Sequence, residues 1–275
     1  MEPLNLISYG FIQNAFLAAL LMSVSCGIVG TYIVTRRMVF ISGGITHASF
    51  GGVGIGYFLG FPPLAGAAIF AVLAALTTEN LTRRKILRND SIIAIMWSLG
   101  MALGIIFVYL TPGYAPNLMS FLFGSIITVT NTDLWLMLFL AIFVSAFFTI
   151  LFRPILYIAF DEEFARTRGI PVMLMNYLLI ILVALTIVLS IRIAGIILVL
   201  SVLTIPQNIA NLFTNRFIHI IFGSIIVGFM ASILGLVVSY YLDIPSGATI
   251  IFCLVLLYIA ARFIKVVTFG RKIPK

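Results

Sequence analysis

The chain has 275 residues, of which 63% are hydrophobic and 9% charged, with a formal net charge of +8 and a mean hydropathy of +1.24. A soluble domain of this length has too little interior to hide so much apolar surface. Cations scattered between apolar runs also exclude a nucleic-acid surface, which gathers its basic residues on a folded polar domain. The fold class this implies is all-α, a polytopic helical membrane protein.

A bilayer core of about 30 Å takes about 20 apolar residues per helix. Nine such stretches are predicted in chain order, near 9–34, 38–59, 61–78, 90–110, 132–152, 172–190, 193–213, 217–241 and 247–264. Residues 1–8 lack a basic n-region, so no cleavable signal is expected. Between the spans lie Arg36 and Arg37, then Arg83, Arg84, Lys85 and Arg88, then Arg153, Arg166 and Arg168, then Arg216. Arg262, Lys265, Arg271, Lys272 and Lys275 follow the last span. Nine crossings put these fifteen of the sixteen Lys and Arg residues on one side, with Arg192 alone opposite. Cytoplasmic loops carry the basic excess, so the N-terminus is expected outside and the C-terminus inside. The stretch 118–130 is too short to span and reads as a re-entrant or interfacial helix. Residues 1–275 are therefore expected to form a single transmembrane domain.

The eight carboxylates, Glu2, Glu79, Asp90, Asp133, Asp161, Glu162, Glu163 and Asp243, all map to loops or helix ends. Carriers coupled to protons or sodium need an ionisable group at membrane depth, which argues against that class. No GxxxxGK[ST] occurs, so the chain has no P-loop of its own. With only His47 and His219, it also lacks the parts of a catalytic triad or an HExxH zinc site. A pore or a permease driven by a partner remains. Cys26 and Cys253 fall inside apolar spans and read as small buried hydrophobes; His219 reads as interfacial.

The second span carries glycines at 43, 44, 51, 52, 54, 56 and 60. Gly52, Gly56 and Gly60 repeat at four-residue spacing, which lets helix backbones approach closely. His47 sits about 13 Å into that span at 1.5 Å per residue. At that depth it is either a helix–helix hydrogen-bonding group or a metal ligand. The longest polar connection, 153–171, reads RPILYIAFDEEFARTRGIP. Acidic residues early, basic residues late and the stop signals Gly169 and Pro171 predict a short helix near 161–169, either interfacial or a docking element. In the seventh span Pro206 is expected to free a carbonyl and bend the axis. Thr204, Gln207, Asn208 and Asn211 bring polar groups there, as interhelical bonds or as the lining of a cation path.

Five segments, 36–60, 121–133 (FLFGSIITVTNTD), 159–172 (AFDEEFARTRGIPV), 194–212 (AGIILVLSVLTIPQNIANL) and 240–250 (YYLDIPSGATI), together resemble the permease subunits of the bacterial ABC importers for zinc, manganese and iron. The resemblance implies a multi-pass protein of the bacterial cytoplasmic membrane that works as a homodimer. Two ATP-binding subunits would dock on the cytoplasmic face and an extracytoplasmic metal-binding protein outside. ATP hydrolysis would belong to the partner, leaving this chain without enzyme activity or a permanent cofactor and with a divalent metal ion as transient cargo. Residues 159–171 would hold the coupling helix, with Asp161, Glu162, Glu163 and Arg166 as polar contacts, Phe164 as apolar anchor and Gly169 as its end. His47, Thr204, Gln207, Asn208 and Asn211 would line the path.

The family commonly carries an Asp four residues before the histidine; here that position is Gly43. The retained imidazole makes zinc the first expectation, then manganese or iron. A second His47 across the dimer axis would complete the ligand set. A permease for larger chelates of the siderophore or cobalamin type, an ion-coupled carrier and a non-transport scaffold are the competing classes.

Overall fold

The computed structural model describes residues 10–85, 87–112, 124, 126 and 129–269. They form helices and connections with no strand, in the order α1 (Gly10–Thr35), α2 (Val39–Leu59), α3 (Pro63–Arg83), α4 (Asn89–Leu110), α5 (Asn131–Ile150), α6 (Phe152–Phe160), α7 (Glu162–Thr167), α8 (Val172–Val202), α9 (Ile205–Phe213), α10 (Phe217–Leu242) and α11 (Ser246–Phe269). Most of the stretch 118–130 lies outside the described residues. Seven helical runs among the described residues are long and apolar enough to cross a membrane.

That set departs from nine in two places. Helix α2 is not in it, because its glycines and His47 dilute its apolar character. The expected pair 172–190 and 193–213 forms one apolar run, Val172–Phe213. The break expected at 191–192 falls three residues later: the run to Val202 is interrupted at Gly195, whose φ of 76° lies in the left-handed region. A second interruption at Thr204, φ −131°, starts α9.

The helices group into two compact units. One holds α1, the first part of α5, α9, α10 and α11; the other holds α2, α3, α4, α6, α7 and nearly all of α8. Within the second unit α2 is packed on two sides by backbone. A methyl group added at Gly51 would lie 2.9 Å from the Gly100 carbonyl oxygen, and one at Gly54 would lie 2.7 Å from Gly104 Cα. One at Gly44 would lie 2.7 Å from the Ile93 side chain. Those three face α4. On the α3 side, Gly52 abuts Gly66, and a methyl at Gly56 would come within 2.9 Å of Pro63 Cα. The glycines thus form two faces rather than one stripe. Gly60 belongs to neither: no atom lies within 4 Å of an added Cβ there. At φ 74° it caps α2, its N–H donating to the Gly56 and Tyr57 carbonyls, as a left-handed glycine does at a helix end. Pro63 then opens α3, where its missing N–H costs nothing.

In the first unit, α1 is buried along most of its length. Two of its hydroxyls turn back on the helix, Thr31 Oγ1 donating to the Gly27 carbonyl at 2.7 Å and Ser25 Oγ to Leu21 at 3.0 Å. Gly27 admits Ile225 of α10, and Asn14 Nδ2 donates to Asn131 Oδ1 at 3.3 Å. Helix α5 opens on a reciprocal cap: the Thr130 N–H and Oγ1 donate to Asp133 Oδ2, and the Asp133 N–H returns to Thr130 Oγ1, satisfying N–H groups that have no partner inside the helix.

The two-sided contact predicts a contrast between neighbouring glycines. Gly52→Ala forces a Cβ onto the Gly66 carbonyl and should destabilise by about 1–3 kcal/mol, the usual cost of overpacking. Gly43→Ala, whose Cβ would have its nearest neighbours at 3.9 Å, should keep or raise the melting temperature. Thermal unfolding of the detergent-purified variants, followed by size exclusion, checks both.

Candidate functional site

His47 lies on α2, one turn after Gly43. Its half-buried ring stacks on the Trp97 indole of α4, centroids 3.9 Å apart and planes 9° from parallel. Its Nδ1 is buried and makes no hydrogen bond. The glycine face made by Gly44, Gly51 and Gly54 brings α4 close enough for this stack. Where a side chain would stand at Gly43, Trp97 and Leu200 carbon atoms approach to 3.9 Å. No group of three or more His, Cys, Asp or Glu side chains able to hold a metal occurs among the described residues. Trp97 escapes sequence reasoning, since nothing in an apolar helix marks which ring will meet the imidazole. Neither Cys26 nor Cys253 is in a disulfide.

The polar set around Pro206 belongs to the first unit and divides. Pro206 does not bend a continuous helix as expected. It sits in the first turn of α9, where a proline's missing donor goes unnoticed. Gln207 is fully buried, and its Nε2 donates to the Val202 carbonyl at 3.1 Å and the Cys26 carbonyl of α1 at 2.9 Å. Its amide therefore satisfies backbone at the break between α8 and α9, which at membrane depth has no water to turn to. Gly30 of α1 leaves room for that amide: an added Cβ would collide with Gln207 and the Leu203 carbonyl. Thr204 is half-buried, while Asn208 and Asn211 are exposed; Asn208 Nδ2 donates to the Thr204 carbonyl at 2.7 Å. Exposure, not spacing, separates Asn208 and Asn211 from the buried Gln207, which is itself three residues from Thr204 and four from Asn211.

The connection 153–171 holds two helices where one is expected. Helix α6 buries Ile155, Ile158 and Ala159. Asp161 then caps α7, accepting from the Glu163 and Phe164 N–H groups at 2.9 and 3.0 Å. Gly169, at φ 73°, ends it, with the Ile170 N–H donating back to Ala165 at 3.2 Å. Glu163, Phe164 and Arg166 are exposed. The Phe164 ring meets Tyr157 edge-on at 5.3 Å, and the Arg168 guanidinium lies 5.1 Å above it. A groove of about 510 Å³ beside this surface is lined by Arg166, Pro171, Val172, Met173, Leu174 and Tyr177.

Glu162 departs from the expected outward set. Its carboxylate accepts from Arg36 Nη2 at 2.5 Å and from Asn176 Nδ2 at 2.9 Å. Burial alone would push its pKa up, but the hydrogen bonds from Arg36 and Asn176 and the charges of Arg36 and Arg83 outweigh that, holding the carboxyl below its ordinary value.

The family model described as the ABC 3 transport family matches residues 8–265. An uncharacterized membrane protein of Synechocystis is 41% identical over 245 residues, covering 89% of this chain and 87% of that protein. The manganese transport system membrane protein MntC of Halalkalibacterium halodurans is 34% identical, covering 94% and 89%. Among solved structures, PsaBC from Streptococcus pneumoniae in complex with Fab aligns with a TM-score of 0.85 at 30% identity, over 95% of this chain and 97% of that one. The expectation of zinc first finds no support among these names. A lone imidazole is a ligand for several first-row metals, and zinc does not follow from it.

A carboxyl held below its ordinary pKa contributes stability that is fully present above that ordinary value and is lost as pH falls through the lowered one. The melting temperature of the parent should therefore exceed that of Glu162→Gln at neutral pH. The gap should persist to the ordinary carboxylate range and close only below it. Thermal melts of both proteins across that pH range check this.

Proposed function

The chain belongs to the ABC 3 transport family, and on that premise we propose that it is the membrane-spanning permease of an ATP-driven importer of divalent metal ions, manganese first. The observation that carries the reading is the surface of α7. A six-residue helix is too short to stand alone, yet this one is capped, terminated and anchored so that Glu163, Phe164 and Arg166 face outward together. An apolar ring flanked by an acid and a base suits seating in a groove of an ATP-hydrolysing partner.

The basic residues support nine crossings with the N-terminus outside. That topology puts α7, Arg36 and the residues after α11 on the cytoplasmic side. Val172–Phe213 is 42 residues long, so at 1.5 Å per residue it extends about 63 Å. That is twice a bilayer core and leaves room for two crossings, with Gly195 and Thr204 as the breaks. A second copy of the chain completes the path, and an extracytoplasmic binding protein delivers the metal. His47 is the metal-facing group, and Thr204, Asn208 and Asn211 supply uncharged oxygens and amides. A single imidazole holds an ion weakly, which suits conduction because the ion must also leave. Manganese takes precedence over zinc because the MntC relative of Halalkalibacterium halodurans is named for manganese transport.

Proteoliposomes holding the permease, its ATPase and its binding protein should take up manganese only with ATP, ahead of zinc and iron. His47→Ala should lower the rate by about tenfold, the worth of roughly 1.4 kcal/mol at the barrier. Uptake that follows a proton or sodium gradient without ATP would overturn the reading.

A further inference from the structure

The Glu162 carboxylate ties together parts of the second unit that are distant in sequence. Arg36, in the turn three residues before α2, donates Nη2 to Glu162 Oε1 at 2.5 Å and Nη1 to the Ile158 carbonyl of α6 at 2.9 Å. Asn176, in the first turns of α8, donates Nδ2 to the same Glu162 oxygen at 2.9 Å and is itself buried. The Arg36 and Glu162 side chains are only 22% and 28% exposed, so water competes little for either.

We propose that Glu162 is an internal strut of the permease, a positioning residue that passes movement of α7 to the head of α2 and the start of α8, rather than a contact for the ATPase. The idea rests on the importer reading for its direction of work. Its geometry stands alone. Helix α7 is six residues long and is held by local contacts and by one side chain that reaches far along the sequence. Asp161 caps it, Ala165 is buried under it, and Glu162 reaches from its first turn to Arg36 and Asn176. A force applied at Phe164 or Arg166 on the outer side reaches α8 along the short link 168–171 as well as through Asn176, and reaches the head of α2 through the Glu162 carboxylate on Arg36. Helix α2, clamped by backbone contact with α3 and α4, cannot absorb that force by bending away. His47 lies eleven residues further along the same clamped helix.

Two readouts separate this proposal from the function it serves. Hydrogen exchange of the permease alone should show faster exchange of the α7 amides in Glu162→Ala and Arg36→Ala, with α10 unchanged. In the assembled complex, metal imported per ATP hydrolysed should fall by about tenfold in either variant, the effect expected when one partner of a charged hydrogen bond is lost. The double variant should be no worse than either single one, since both remove the same link. Glu162→Gln, which keeps an acceptor for Asn176, should fall between parent and Glu162→Ala, and it decides the matter if the alanine variants do not fold. Unchanged α7 exchange, additive losses in the double variant, or an unaltered metal-to-ATP ratio would each overturn the strut. A variant that merely fails to bind the ATPase would also overturn it, making Glu162 a docking contact. If the parent complex imports no metal, the importer reading fails, and the exchange measurement still decides the strut.

Discussion

Backbone-to-backbone contact along α2 is the constraint on which the second unit depends. In lipid there is no hydrophobic drive to press helices together, so close packing and interhelical bonding must hold them. Helix α2 meets that need twice, Gly44, Gly51 and Gly54 admitting α4 while Gly52 and Gly56 admit α3. The approach of α4 sets the His47–Trp97 stack at 3.9 Å, and the turn before α2 presents Arg36 to Glu162. One clamped helix thus carries the candidate metal-facing group in its middle and the tie to α7 at its head.

The first unit answers a different problem. A helix broken at membrane depth exposes carbonyl groups that only protein can satisfy. The break at Thr204 is answered by Gln207, whose amide reaches both Val202 and Cys26. That solution removes Gln207 from any path and needs Gly30 to stay small. The polar side chains of α9 therefore serve two ends, Gln207 inside the fold and Asn208 and Asn211 exposed.

Much of this was legible in the chain itself. Apolar runs and the one-sided placement of the bases mark a helical membrane protein, and the glycines of 43–60 mark close packing. Asp161, the acids after it and Gly169 mark a capped helix at the right place. What was not legible depends on partners in space. Periodicity says that Gly52 and Gly56 share a face, but not that Gly51 and Gly54 serve a second neighbour or that Gly60 ends the helix. Pro206 reads alike in a bent helix and in the first turn of a new one, and only the break at Thr204 separates them. Glu162 and Glu163 are adjacent acids in the sequence, and it takes Arg36, 126 residues away from Glu162, to turn one inward and leave the other outside.

The stack of Trp97 on His47 has an optical side. The chain contains two tryptophans, and Trp135 on α5 is 71% exposed. Trp97 lies face to face with the one histidine at the centre of α2. Any ion or proton that settles on that ring changes the electric field across an indole less than 4 Å away. The protein therefore carries, without labelling, a native fluorophore placed to report the occupancy of its own α2 histidine.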